Sequence, residues 1–177
     1  MADFNQILTP GDVDGGVINV VVEIPQGSSH KIEWNRELAI MQLDREEPTI
    51  FAKPTNYGFI PQTLDEDGDE LDVLIVSHNG PLPTGLFLEG KILGVMKFED
   101  DGEVDDKIVV RAADDRESGD WLNSIDDLGD SWKKRVEHHF NHYKDLKKPG
   151  STIVKGWGGI DEAKAVIHES IERWNSK

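Results

Sequence analysis

Asp67-Gly68-Asp69-Glu70-Leu71-Asp72 stands immediately before the apolar run Val73-Leu74-Ile75-Val76. Three aspartates spaced two and three residues apart crowd negative charge at the mouth of a strand, and Gly68 lets the backbone turn tightly. Carboxylates this close repel one another, and burying any of them is costly without a cation. A hard divalent ion such as Mg²⁺ or Ca²⁺ prefers oxygen ligands and offsets several such charges at once. Glu99-Asp100-Asp101-Gly102-Glu103-Val104-Asp105-Asp106-Lys107 repeats the pattern ahead of another apolar strand. Two acidic loops that each feed a strand point to one site for more than one metal ion. Asp-Gly pairs are also ordinary turn chemistry, because Asp caps turns and Gly takes positive φ. An EF-hand is excluded by register. With Gly68 in the glycine position the first and last ligands would be Thr63 and Leu74, and with Gly102 they would be Lys97 and Ile108. Neither register has an acidic first ligand or a closing Glu.

Basic and phenolic residues are scattered among the predicted strands. Lys31 and Glu33 lie two apart, so a strand puts both on one face with Ile32 and Trp34 on the other. Glu23 ends a β-branched run before Pro25, Arg45 follows Asp44, Lys107 opens a strand, and Tyr143-Lys144 closes a helical segment. Singly, each is compatible with a solvated surface charge. Together with the carboxylates they suit a polyanionic substrate that brings metal ions with it, and phosphate esters and anhydrides are that class. Arg forks onto phosphate oxygens, Lys supplies a point charge, and Mg²⁺ bridges carboxylates to a phosphoryl group. Phosphoryl transfer needs little more than positioning and charge neutralisation. Other motifs are weaker. His138, His139 and His142 have zinc-compatible spacing but lack the Glu of a zincin, and His138 and His142 are expected in solvent. Gly156-Trp157-Gly158-Gly159 is not a P-loop, since no Gly-Lys-Ser/Thr follows; it reads as a tight strand-to-helix turn.

The elements that must position these groups can be read from periodicity. Val17 to Ile24, His30 to Trp34, Leu38 to Leu43, Val73 to Val76, Leu86 to Met96 and Lys107 to Val110 read as strands, with Thr152 to Val154 as one more. Trp132, Val136, Phe140 and Tyr143 recur at helical spacing between Ser131 and Leu146, stopped by Pro149-Gly150. A terminal helix runs from Asp161, its expected N-cap, to Trp174. Several strands followed by two helices predict a compact α+β fold, a small closed barrel with helices packed outside.

Composition narrows the partners. A chain of 177 residues suits a single domain, 1–177. Its net charge of −16 opposes nucleic acid and anionic membranes. With no cysteine there is neither a disulfide nor a thiolate metal site. The N-terminus lacks the features of a signal peptide and no apolar run is long enough to span a bilayer, so a soluble, cytoplasmic chain is expected.

The chain resembles the soluble family I inorganic pyrophosphatases from about Val17 to Lys177. Asp67-Gly68-Asp69-Glu70-Leu71-Asp72-Val73-Leu74 is similar to their signature, and supporting matches follow in order: Val22-Glu23-Ile24-Pro25, Lys31-Ile32-Glu33, Leu43-Asp44-Arg45, Pro54-Thr55-Asn56-Tyr57-Gly58 and His142-Tyr143-Lys144-Asp145-Leu146. Asp100, Asp105 and Lys107 keep the family spacing in the second acidic loop. The resemblance implies a five-stranded OB-type β-barrel with flanking α-helices and Mg²⁺-dependent hydrolysis of pyrophosphate to two phosphates. By position it implies that Asp67, Asp72 and Asp105 hold a first metal, with Asp72 bridging to a second. Asp100 and Asp105 would serve a further metal arriving with substrate, and Glu23 another. Asp69 would be the general base toward a metal-bridging water. Lys31, Arg45, Tyr57, Lys107, Tyr143 and Lys144 would bind the phosphates, and Glu33 would support the site from behind. A homo-oligomer, often a hexamer in bacteria, is also implied. One departure stands out: Ala52-Lys53-Pro54 places Lys53 where the family usually has an aromatic residue, commonly Tyr. Two other readings of the residues remain at this point. A nucleotide-sugar transferase could use the Asp67-Gly68-Asp69 triplet, although the alternating strand-helix pattern of such enzymes is absent. An acidic OB-type binding module could share the barrel, although single-strand binders rely on basic grooves.

Overall fold

The computed structural model describes residues 3–177. A short helix, α1 (Phe4–Ile7), is followed by β1 (Gly11–Asp12), β2 (Val17–Ile24), β3 (His30–Asn35), β4 (Ile40–Glu46), β5 (Asn56–Phe59), β6 (Asp72–Val76), β7 (Phe87–Asp100), β8 (Glu103–Val104) and β9 (Lys107–Ala112). Helix α2 (Gly129–His142), strand β10 (Thr152–Gly158) and helix α3 (Ile160–Asn175) complete the chain. Strands β2, β5, β6, β9 and β7 pair in that order, and β7 pairs back onto β2, so the sheet closes into a five-stranded OB-type barrel. All pairings in the ring are antiparallel except β6 with β9. Strands β3 and β4 form a separate hairpin.

The apolar runs explain the closure. Alternate residues of the barrel strands, Ile18, Val20 and Val22, Val73 and Ile75, Ile92 and Val95, Ile108 and Val110, converge on one buried cluster, to which α3 adds Ala163 and Ile167. The intervening residues Leu74, Met96, Phe98 and Val109 join Val136 and Phe140 of α2 in a second cluster. Strands buried on both faces read as continuous hydrophobic runs, which is why Val73 to Val76 shows no polar alternation. Hairpin β3–β4 is tied down by Trp34, whose ring stacks on Phe59 at 5.4 Å and meets the edge of Phe4 at 5.3 Å. Gly58 admits no side chain, because a Cβ there would lie 1.9 Å from the carbonyl oxygen of Val21.

Several boundaries differ from the sequence reading. The strand expected over Leu38 to Leu43 is β4, Ile40–Glu46, because Leu38 N–H donates to the Asn35 side chain and Ala39 takes a left-handed φ of 50° in the hairpin turn. Asn56–Phe59, absent from the strands read from periodicity, is a barrel strand. Strand β7 runs four residues past Met96, and β9 ends at Ala112. Helix α2 stops at His142, short of Leu146: the Asp145 carboxylate bonds the His142 ring at 2.8 Å, and Lys147 and Lys148 N–H groups both return to the Lys144 carbonyl. Gly156-Trp157-Gly158 is not a turn. It continues β10 past a bulge between Val154 and Gly156, where Gly156 adopts φ 136°. The N-cap of α3 is Gly159, whose N–H donates to Glu162 at 3.3 Å; Asp161 lies inside the first turn. No helix among the described residues is long and apolar enough to cross a membrane.

Candidate active site

The parallel pairing of β6 with β9, in register Val73 to Ile108, places the starts of both strands at the same end of the barrel. The two acidic loops precede those strands, so topology brings them together across more than 30 residues of sequence. Asp72 opens β6 and Lys107 opens β9. The Lys107 ammonium, only 2% exposed, donates to Asp72 Oδ2 at 2.5 Å and also to Asp105. From β5, the Tyr57 hydroxyl donates to the same Asp72 oxygen. Asp67 stays in the loop ahead of β6, its Oδ1 accepting from Asp69 N–H at 3.0 Å.

The β3–β4 hairpin forms the facing wall. Its register pairs Lys31 with Arg45, and a bulge follows at Lys31/Ile32. Lys31 forms an ion pair with Glu33, as their shared face predicts, and stands 3.8 Å from Asp44. Arg45 bonds Asp44 at 2.7 Å and also Glu47. At the far end of β7, Asp100 accepts from Lys144 at 2.5 Å and from the Tyr143 hydroxyl at 3.1 Å, joining the strand to the segment after α2. Every residue to which the family resemblance assigns a role, from Glu23 to Lys144, lines one cleft of about 260 Å³, and His138 and His142 lie outside it.

Charge in the cleft is strongly perturbed. Burial pushes the Glu23 carboxyl well up, and Asp72, Glu33 and Glu70 add to this; its one compensation is a hydrogen bond from Trp34 N–H at 2.8 Å. Burial and the neighbouring Asp67 raise Asp69, while Arg36 pulls it down. Asp105 is raised by burial and by Asp72 against the pull of Lys107. Lys107 itself is held charged: desolvation opposes this, but Asp72 and Asp105 together outweigh it. The phenols of Tyr57 and Tyr143 are pushed up by burial and nearby carboxylates, so both remain hydrogen-bond donors.

Sequence reasoning missed several neighbours. Arg36 reaches Asp69 Oδ1 at 2.5 Å, the Gly68 carbonyl at 3.1 Å and Glu70 at 3.3 Å. Buried Glu70 also accepts from Asn5 at 2.7 Å, which links α1 to the site. No local signal marks Arg36, because its partners lie over 30 residues away. His139 is buried between exposed His138 and His142, beside Phe140 and stacked on Tyr143. Helical spacing from Val136 could have found it.

The donor set suits a hard divalent cation, since Asp67, Asp72, Asp100, Asp105 and Glu23 offer only oxygen. Among the described residues no three such groups already converge on one point. The Lys107 ammonium holds Asp72 and Asp105 instead, a cation standing where the carboxylates need positive charge.

A barrel with a cleft whose acidic floor meets a wall of Lys, Arg and Tyr defines a class of protein, an enzyme for small polyanionic substrates. Comparison with known proteins gives the family. The inorganic pyrophosphatase family model matches residues 20–175. Inorganic pyrophosphatases of Neisseria meningitidis serogroup B and Haemophilus influenzae are each 70% identical over 177 residues, spanning all of this chain and 99% and 100% of theirs. A crystal structure of an inorganic pyrophosphatase from Neisseria gonorrhoeae superposes with a TM-score of 0.95 at 71% identity, covering 98% of this chain and 99% of that one. That of Thermus thermophilus gives 0.89 at 34% identity, with the same coverage. The chain belongs to the inorganic pyrophosphatase family, a family of hydrolases.

Proposed function

We propose that this chain hydrolyses inorganic pyrophosphate to two orthophosphates with Mg²⁺ as cofactor. The observation that carries the reading is the single cleft in which the carboxylates of both acidic loops face Lys31, Arg45, Tyr57, Tyr143 and Lys144, with Lys107 between them. Asp67, Asp72 and Asp105 would hold magnesium, Asp100 and Glu23 would serve further ions, and bound magnesium supplies charge against phosphoryl oxygens and acidifies water. Asp69 takes the proton from the attacking water as its oxygen bonds phosphorus and the bridging P–O bond breaks. Partial burial and Asp67 raise its pKa against the pull of Arg36, which makes it a stronger base, and its side chain, 74% exposed, is within reach of water. Lys31 and Arg45 approach phosphate oxygens from the hairpin, Tyr143 and Lys144 from the segment after α2, and Tyr57 and Lys107 from the floor. Glu33 orients Lys31. Charge that grows on the departing phosphate is stabilised by these fixed cations.

Neither a P-loop nor a base-binding motif is present, so ATP is a poor substrate under Mg²⁺. Partners follow from charge: pyrophosphate enters as its magnesium complex, while nucleic acid and membranes are repelled by the net charge of −16. The chain works in the cytoplasm as a homo-oligomer, of which a hexamer is the expected form. Phosphate release from pyrophosphate and from ATP, each with Mg²⁺ and with chelator, tests the reading. Fast Mg²⁺-dependent release from pyrophosphate alone is expected; equal turnover of ATP would contradict it.

A further inference from the structure

Lys53 is the one lysine or arginine lining the cleft that, among the described residues, forms no ion pair with a carboxylate. Lys31 stands against Glu33, Arg45 against Asp44, Lys107 against Asp72 and Asp105, and Lys144 against Asp100. The Lys53 ammonium instead sits over three rings, 4.4 Å from the centroid of Tyr57, 5.1 Å from Phe140 and 5.4 Å from Tyr143. Its backbone is pinned, since its carbonyl accepts from Gly27 N–H and its N–H donates to Ser28, both at 2.9 Å. The rings offer cation–π attraction, but an ammonium carries three N–H donors that ring faces satisfy poorly.

We infer that Lys53 is a phosphate-binding residue of this cleft, the cation that takes up a phosphate oxygen without first giving up a carboxylate. The inference rests on the proposed function and deepens it. For Lys31, Arg45, Lys107 or Lys144, an arriving phosphate must displace or share an existing ion pair. At Lys53 it meets donors with no competing anion. The ammonium's surroundings agree: burial, together with Lys107, Lys31 and Arg45, draws its pKa from 10.5 to about 8 against the pull of Asp72. A group that is partly desolvated and surrounded by other cations gains most from an added anion. The Nζ is not at any carboxylate, which is the opposite of what a lysine competing with metal for those oxygens would show.

The experiment is calorimetric titration of inorganic phosphate into the full chain held metal-free with chelator. It needs neither Mg²⁺ nor turnover, so a wild-type protein that failed to hydrolyse pyrophosphate would overturn the proposed function and leave this readout intact. Lys53→Met keeps the stem against the rings and removes the charge; it is expected to weaken phosphate binding about tenfold, the order of one charge-assisted hydrogen bond. Lys53→Arg restores the cation and is expected to stay within about threefold of wild type. In Mg²⁺, Lys53→Met raises KM for pyrophosphate by a larger factor than it lowers kcat. Should the variant not fold, the Lys53 Nζ resonance in the wild-type protein gives the same answer, since it is expected to shift on adding phosphate. A wild-type Kd in Lys53→Met, or an unmoved Nζ resonance at saturating phosphate, overturns the inference.

Discussion

Removing the Lys107 ammonium tests the electrostatics of the cleft at their tightest point. Lys107→Met leaves Asp72 and Asp105 facing each other with their shared cation gone, in a place where the lysine was 2% exposed. The Asp72 contact at 2.5 Å has a gross attraction of ~6–7 kcal/mol at an effective dielectric of ~20, and the Asp105 contact adds an attraction of the same order. Desolvation of the ammonium offsets much of this, and breaking a buried pair from one side costs about 3–5 kcal/mol in practice. For a chain of this size that is a fall in Tm of roughly 6–20 °C. Thermal and urea unfolding of the metal-free protein at pH 7.5 measure it. A divalent ion can take over the charge balance. Millimolar Mg²⁺ should therefore recover a larger share of stability in Lys107→Met than in wild type, and Asp105→Asn added to Lys107→Met should recover stability without metal. A variant within ~1 kcal/mol of wild type in chelator, with no added response to Mg²⁺, would refute the balance described here.

Three further outcomes are expected. Asp69→Asn should lower kcat by about 10²–10⁴ while Mg²⁺ affinity is largely kept, whereas Asp72→Asn should weaken Mg²⁺ binding first; identical calorimetric defects would erase the distinction. Burial and the charge of Lys53 drive His139 from 6.5 down to about 3. The unfolded state therefore binds the extra proton as pH falls below 6.5, and stability drops by about 2 kcal/mol between pH 6.5 and 4.5; His139→Phe should flatten that part of the unfolding profile. Gly58→Ala forces a Cβ against the Val21 carbonyl at 1.9 Å, and urea unfolding should show a loss of about 3 kcal/mol or more, because backbone on both sides leaves no room to yield.

The barrel and the residues of its cleft were readable from sequence for a local reason. Each acidic loop is contiguous and each feeds an apolar run, whereas the parallel pairing of β6 with β9 that brings Asp72 to Lys107 is supplied by the fold alone. Where local patterns carried two meanings, boundaries moved. Asn56–Phe59 follows Pro54 and holds an Asn and a Gly, which are turn residues, yet Gly58 is there to let β2 and β5 approach. Gly156 signals a break and produces a bulge that strand β10 passes through. Pairings between distant segments left no trace: Arg36 finds Asp69 and Glu70 across the cleft, and Asn5 reaches Glu70 from α1. Lys53 was visible as a departure from the family, but its three aromatic neighbours come from β5, α2 and the residue after α2, which only the fold brings together.

The proposed function gives one cleft an acidic half for divalent cations and a basic half for phosphate. A crystal structure of the chain with Mn²⁺ and phosphate, read by anomalous scattering from the metal, locates both. Anomalous peaks among Asp67, Asp72 and Asp105, with phosphate against Lys31, Arg45 and Lys144, are the expected result. Metal bound away from those carboxylates, or phosphate bound outside the cleft, would contradict it.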